Sequence, residues 1–364
     1  MTDRHSIFAS LQVLRAVAAL LVVLFHLRIV EAKLGAEALV LPSALRFADG
    51  GVDLFFVISG FVMAIITSGQ FRSPFNAARF LGRRLWRVVP LYWFYTTAVL
   101  ALMALLPAAV NTSYADQSVW ASYLLWPQPQ LPLLTVGWTL IHEVYFYLVI
   151  AAAVAVLGER SFLWFLLAWG LLVAGAQPSW ESIHAPWAQV ALNPMTLEFI
   201  AGALVGRYWR SIPWFLTRLS LPLGIIGLIG AMMLLDRLAG PTGSLPSPYP
   251  ILRTLLFGPA SVLLVLGMVA WERDHPHAMP RFLVLLGDSS YSLYLSHVFA
   301  LSAIGRLWQM LGPTYSPWHH ALFAGTAVAA SIAIGLVSYF MLERPLLYQA
   351  RTWLPRLAPS SPIA

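Results

Sequence analysis

The 364-residue chain contains no cysteine. Disulfides, thiolate metal sites and a cysteine nucleophile are therefore excluded. Charge is also scarce: 10% of the residues are Asp, Glu, Lys or Arg, against about 25% in a soluble globular domain. So few charges cannot cover a water-facing surface on a chain of this length, and lipid must supply much of its solvent. Familiar catalytic signatures are missing too, with no Gly-x-Ser-x-Gly elbow, no His-Glu-x-x-His and no Walker loop. No internal repeat stands out, and no soluble domain is expected at either end.

Apolar material is abundant. Hydrophobic residues make up 59% of the chain, and 15 Trp, 13 Tyr and 20 Phe are enough for aromatic belts at two membrane interfaces. A hydrocarbon core roughly 30 Å thick takes about 20 residues of helix. Apolar runs of that order at 8–30, 50–69, 88–107, 137–157, 161–177, 194–209, 214–235, 252–271, 283–305 and 320–342 predict an all-α polytopic membrane protein with about ten transmembrane helices. The fifth and sixth runs are short, with two prolines between them in 178–193. The Pro-, Ser- and Gln-rich segments 108–135 and 236–251 are expected to be irregular loops. The first run resembles a signal peptide in having Arg4 and His5 before it. Arg15 interrupts it, however, and His26–Leu27–Arg28 ends it, so it reads as a span.

Ten spans place both termini on one side. If that side is cytoplasmic, its segments hold fifteen basic residues, including Arg72, Arg79, Arg83, Arg84 and Arg87, and the other side holds six. The positive-inside rule favours this orientation, with both termini cytoplasmic. It also accounts for the net charge of +7 without nucleic acid, because the basic residues form no single stripe.

An ionisable side chain at mid-bilayer costs roughly 3 kcal/mol on insertion scales, so each one inside a span is a functional candidate. The spans contain Arg15 and His26, Asp53, His142 and Glu143, Glu198, and His297. Counting about 1.5 Å per residue along each span puts His26, Asp53, Glu143, Glu198 and His297 in the outer leaflet, which predicts one polar cavity opening outward. Arg15 and His26 are eleven residues apart, which returns to within about 20° of one helix face with an axial gap of about 16 Å. One helix thus presents a cation deep and an imidazole further out, unless both simply snorkel to opposite interfaces.

Arg83, Arg84 and Arg87 open the third span. They serve either as topology determinants or as bidentate phosphate ligands on adjacent turns. Glu143 has three open roles: orienting His26, binding a sugar hydroxyl, or making a structural bond between helices. Asp53 is a candidate cap for the second helix, or part of an acceptor site with His142. Ser59–Gly60–Phe61 reads as a close-packing site between helices. His297 follows Tyr291 and Tyr294 in an aromatic stripe that forms either packed core or the wall of a sugar pocket. No pair among His26, His142, His297 and Glu143 has a specific metal-ligand spacing, so no metal is expected. Asn111–Thr112–Ser113 fits a glycosylation sequon, a short pattern that carries little weight.

Taken in order, Leu11–Gln12–Val13–Leu14–Arg15 running to His26, Gly51 through Phe61, the Arg83–Arg87 cluster ending at Pro90, Gly137–Trp138–Thr139 with Glu143, Tyr291 through His297, and Glu343–Arg344–Pro345 resemble the acyltransferase-3 family of membrane O-acyltransferases. Within that family the chain most resembles bacterial exopolysaccharide O-acetyltransferases. The resemblance implies ten transmembrane helices in the bacterial cytoplasmic (inner) membrane, with 1–345 as the membrane domain and 346–364 as a cytoplasmic tail. It also implies acetyl-CoA as the usual donor, with succinyl-CoA open, and no permanently bound cofactor. The implied acceptor is a carbohydrate, either a polysaccharide or a polyprenol-linked oligosaccharide.

By the same resemblance the family's Arg-x10-His pair falls on Arg15 and His26, and its Arg-x-x-Arg pair on Arg84 and Arg87, with Arg83 beside it. His26, Glu143 and Arg15 are then the expected catalytic set, and Arg84, Arg87 and Arg83 the donor-binding set. Asp53, His142, Tyr291, Tyr294 and His297 form the expected acceptor set. His26 acts either as a general base or as a transient acetyl carrier. The alternative from another class is a proton-coupled transporter or flippase of a lipid-linked sugar, with the buried His and Glu as its relay.

Overall fold

A computed structural model describes residues 8–33, 40–105, 117–240, 249–276, 278–311 and 316–353. The sequon, part of each expected irregular loop, and tail residues 354–364 lie outside these. The described residues are all-α, with no strand. In lipid every backbone N–H and C=O must find a partner within the chain, and helices satisfy them locally.

In chain order the helices are α1 (Ala9–Lys33), α2 (Gly51–Thr67), α3 (Pro74–Leu105), α4 (Val119–Tyr123), α5 (Trp138–Val156), α6 (Ser161–Ala176), α7 (Pro186–Ala191), α8 (Thr196–Tyr208), α9 (Trp214–Ala239), α10 (Tyr249–Asp274), α11 (Arg281–Asp288), α12 (Ser290–Met310), α13 (Pro317–Ser338) and α14 (Arg344–Trp353). Among the described residues, nine helical stretches are long and apolar enough to cross a membrane. The chain is an integral membrane protein.

The stretch missing from the nine is α12, the expected ninth span, and its surroundings explain why. It is 21 residues long, about 31 Å at 1.5 Å per residue, but Ser290 through His297 are all buried against protein. The polar side chains of this first half meet protein, with α1 and α13 packed against the helix. The single run expected at 283–305 is also broken at Ser289, where α11 ends and α12 begins.

The third span differs more. It was expected from residue 88, whereas α3 starts at Pro74 and runs for 32 residues with Pro90 inside it. Arg83, Arg84 and Arg87 therefore stand on the helix rather than ahead of it. At the far end of the chain, α13 passes through a π-helical turn, Tyr339–Glu343, directly into α14. Position 345 thus falls within continuous helix.

Two features lock the bundle. The first is the α2–α8 contact. A Cβ on Gly60 would lie 1.9 Å from the carbonyl oxygen of Phe199, and one on Gly202 would lie 2.0 Å from that of Val57. Only glycine lets these backbones approach so closely, a device typical of membrane helix pairs. The second is ionic. Arg253 of α10 is buried and donates to Asp53 through Nε (3.1 Å) and Nη2 (2.5 Å). It also bonds the Asp49 carboxylate and the Asp49 carbonyl at 2.8 Å. Glu198 of α8 lies against the same group. Asp53 makes no capping bond for α2; it ties α2 to α10.

Removing one partner of a buried ion pair strands the other charge, at about 3–5 kcal/mol. Arg253→Ala is therefore expected to lower the thermal unfolding temperature in detergent sharply. Arg46→Ala, which breaks a pair with Asp236 that remains partly exposed, is expected to lower it far less.

Candidate functional site

A cavity of about 320 Å³ lies between α1, α2, α3, α5 and the start of α12. Its polar wall carries Gln12, Arg15, Ser59, Arg84, Arg87, Thr139, Glu143, Tyr291 and Tyr294. Its apolar wall includes Phe8, Leu11, Phe55, Phe56, Val62 and Ile66. The helical period explains the grouping. Phe8, Leu11, Gln12 and Arg15 recur at three- and four-residue intervals on one face of α1, as do Ser59, Val62 and Ile66 on α2 and Arg84, Arg87 and Val88 on α3.

Arg15 is held within its own helix, its Nη1 donating to Gln12 Oε1 at 3.1 Å. It lies within electrostatic reach of Arg87, Glu343 and Glu143. Arg84 sits over the rings of Phe80 and Tyr147, 6.0 and 5.9 Å from their centroids. Tyr147 OH donates to Glu143 Oε1 at 2.5 Å, and Ser59 Oγ approaches the same oxygen at 3.4 Å. Arg87 is engaged by no hydrogen bond or ion pair with the described residues, and its guanidinium lines the cavity. Three guanidiniums thus share this wall with one carboxylate. Such an excess of positive charge in a space shielded from bulk water is complementary to a polyanion.

Glu343 stands behind this wall. Its Oε2 accepts from Ser292 N at 3.1 Å and Ser292 Oγ at 2.6 Å, and Arg87 and Arg15 lie within its electrostatic reach. The π turn delivers it there, a local distortion often found at functional sites. In the sequence Glu343 and Gln12 stand inside quoted motifs without a place in the site, and Tyr147 stands in none. Spacing held a signal for two of them, since Gln12 precedes Arg15 by three residues and Tyr147 follows Glu143 by four, one turn away on the same face.

The five groups expected in one outward cavity are divided among three places. Glu143 joins the arginines. Asp53 and Glu198 belong to the Arg253 cluster, and Asp53 does not line the cavity. His26 and His297 form a pair of their own, with His26 Nδ1 and His297 Nε2 3.1 Å apart. Depth counted along a helix says nothing about which neighbour its face meets, and the azimuths separate these groups.

Among the remaining expected residues, Tyr291 and Tyr294 line the cavity, while Arg83 and His142 do not. His142 is buried, its ring 6.1 Å from Phe56 and 5.8 Å from Trp138 by centroids. Tyr294 lines the cavity from α12. Its OH meets Thr139 Oγ1 at 2.8 Å and the Val136 carbonyl at 2.9 Å. Its ring is 6.0 Å from that of His297, so the tyrosine stands between the arginine-lined space and the histidine pair.

With the geometry in place, comparison with known proteins gives consistent matches. The family described as "Acyltransferase domain" matches residues 8–339. The exopolysaccharide production protein ExoZ of Rhizobium meliloti (strain 1021) is 33% identical over 319 residues, covering 83% of this chain and 90% of the relative. Nodulation protein 10 of Rhizobium leguminosarum bv. viciae is 23% identical over 349 residues, covering 83% of each chain. No solved structure matches.

Arg87 and Tyr147 should behave differently when truncated. Arg87→Ala breaks no hydrogen bond or ion pair with the described residues and is expected to cost less thermal stability in detergent, below about 1 kcal/mol. Tyr147→Phe removes the shorter of the two hydrogen bonds to Glu143 and should cost about 1–3 kcal/mol. Differential scanning fluorimetry on the two purified variants separates them.

Proposed function

Because this chain belongs to the acyltransferase domain family, we propose that it moves an acetyl group from cytoplasmic acetyl-CoA onto a hydroxyl of a bacterial exopolysaccharide or its lipid-linked repeat unit. The observation that carries this reading is the trio of Arg15, Arg84 and Arg87 around one cavity, with Arg87 left open. Coenzyme A is a polyphosphate attached to a long, weakly polar arm. Planar guanidiniums suit its phosphates, and the apolar wall from Phe8 to Ile66 suits its pantetheine. Arg84 and Arg87 stand in the half of α3 that the positive-inside rule assigns to the cytoplasm, where acetyl-CoA is made. The exopolysaccharide acceptor is supported by the name of the relative that is 33% identical. The cytoplasmic membrane is the location that fits a donor arriving from that side.

The chemistry needs a base and a held donor. His26 Nε2 takes the proton of the acceptor hydroxyl as the hydroxyl oxygen bonds to the thioester carbon. The C–S bond then breaks, and the thiolate recovers the proton from the imidazolium. Thioester and ester are of similar energy, so positioning supplies much of the acceleration. Arg15 lies about 16 Å from His26 along α1, a gap that an extended pantetheine arm can bridge once Tyr294 gives way.

Mass spectrometry of surface glycan from cells with and without the protein should differ by one acetyl mass per acetylated repeat. In membranes, His26→Ala is expected to abolish transfer while the protein stays at its usual level. Arg84→Ala with Arg87→Ala should raise the acetyl-CoA KM roughly tenfold or more, because each charge-assisted hydrogen bond is worth about 1.5–3 kcal/mol. An unchanged KM would remove the arginines from donor binding.

A further inference from the structure

We infer that His297 is a positioning residue for His26, fixing, together with the Val22 carbonyl, the tautomer in which Nε2 of His26 is unprotonated. The inference rests on the reading of His26 as the base, and it deepens that reading. The two residues come from α1 and α12, 271 positions apart in sequence. His26 Nδ1 has two neighbours, the Val22 carbonyl at 3.0 Å and His297 Nε2 at 3.1 Å. His297 Nδ1 lies 3.2 Å from the Leu293 carbonyl. A carbonyl only accepts, and a neutral imidazole has one donor nitrogen and one acceptor nitrogen.

Only one pair of neutral tautomers satisfies all three contacts. With hydrogen on both Nδ1 atoms, His297 donates to Leu293, which leaves its Nε2 as an acceptor. His26 then shares its Nδ1–H between Val22 and that acceptor. In the reverse arrangement, His297 donates from Nε2, and two bare nitrogens face the carbonyls of Leu293 and Val22, a lone-pair opposition at each. The geometry therefore puts the hydrogen of His26 on Nδ1 and its lone pair on Nε2.

The environment keeps it there. His297 is fully buried, with no room to turn its ring into solvent. Its own backbone bond spans one helical turn, so α12 itself sets the orientation. Phe25 packs edge-on against His26, with centroids 4.9 Å apart, which limits rotation of the ring. His26 is only half-buried, and its Nε2 makes no hydrogen bond with any described residue. An acceptor hydroxyl thus meets a nitrogen already prepared to receive its proton. A neighbouring group that fixes which ring nitrogen is protonated is a familiar requirement for a histidine base. Here an uncharged imidazole supplies it, where a carboxylate would have brought another charge into the membrane.

Two substitutions test this. His297→Phe keeps the ring volume and removes the acceptor, whereas His297→Gln places an amide oxygen near the position of Nε2. For His297→Phe, kcat is expected to fall by about tenfold or more, part of the roughly 10²- to 10⁴-fold that a positioned base contributes, with the acetyl-CoA KM unchanged. His297→Gln should recover most of the loss. Nitrogen-15 NMR of histidine-labelled protein in detergent, with the His26 signals identified by their absence in His26→Ala, should show a protonated Nδ1 in the parent and a tautomer mixture in His297→Phe. Retention of the parent tautomer and kcat in His297→Phe would overturn the positioning role. Full activity in His26→Ala would instead overturn the reading of His26 as the base, whatever the spectrum of His297→Phe shows.

Discussion

An excess of fixed positive charge inside a lipid-embedded bundle is the constraint that organises this protein. Arg15, Arg84 and Arg87 line one space with Glu143 as the carboxylate on its wall. In a medium that screens charge poorly, such an imbalance is costly unless an anion or water-filled access relieves it. Much of the surrounding architecture serves to hold that imbalance. Gln12 pins Arg15, Tyr147 and Ser59 fix Glu143, and Glu343 is brought behind the wall by a π turn and anchored on Ser292. The contrast with Arg253 is instructive. That arginine is more fully buried, but it is saturated by Asp49 and Asp53, and it serves the fold. Whether an intramembrane arginine is structural or functional depends on what is left unpaired.

Hydropathy was enough to make the architecture legible. Long apolar runs have few alternatives in lipid, and most of the spans fall where composition placed them. The exceptions are physical. α12 hides its polar half inside protein, so its composition understates its membrane role. α3 begins about four turns before its apolar run, because arginines on a helix that begins at Pro74 are good helix formers. Within the site, membership along one helix could be read and contact between helices could not. Arg84 and Arg87, three apart, share the cavity, whereas adjacent Arg83 faces elsewhere. Asp53 belongs with an arginine 200 residues away, and His26 with a histidine 271 residues away. No periodicity encodes those pairings, which arise from how the helices rotate against one another.

The place of Tyr294, on the cavity wall and 6.0 Å from the His297 ring, gives the proposed reaction an order. The donor's charged end stays with the arginines, and the imidazole pair lies beyond Tyr294, whose hydroxyl is held by Thr139 and Val136. A water-filled path open at both ends would leak ions and hydrolyse the thioester. In the proposed reaction Tyr294, held by two hydrogen bonds, would separate the donor space from the imidazole pair and yield to the entering arm, in the way active-site closures exclude water elsewhere. The same separation keeps His26 away from Glu143, so its orientation falls to His297.

The absence of cysteine makes the central claim directly measurable, since a single introduced cysteine is labelled without background. Ser59 lines the arginine cavity, and Ser59→Cys changes one atom. Labelling of that variant by a small maleimide should be slowed by saturating acetyl-CoA, and adding Arg87→Ala should abolish the protection at the same donor concentration. Labelling that proceeds at the same rate with and without acetyl-CoA would contradict the account, because the donor would then be seated somewhere other than among these arginines.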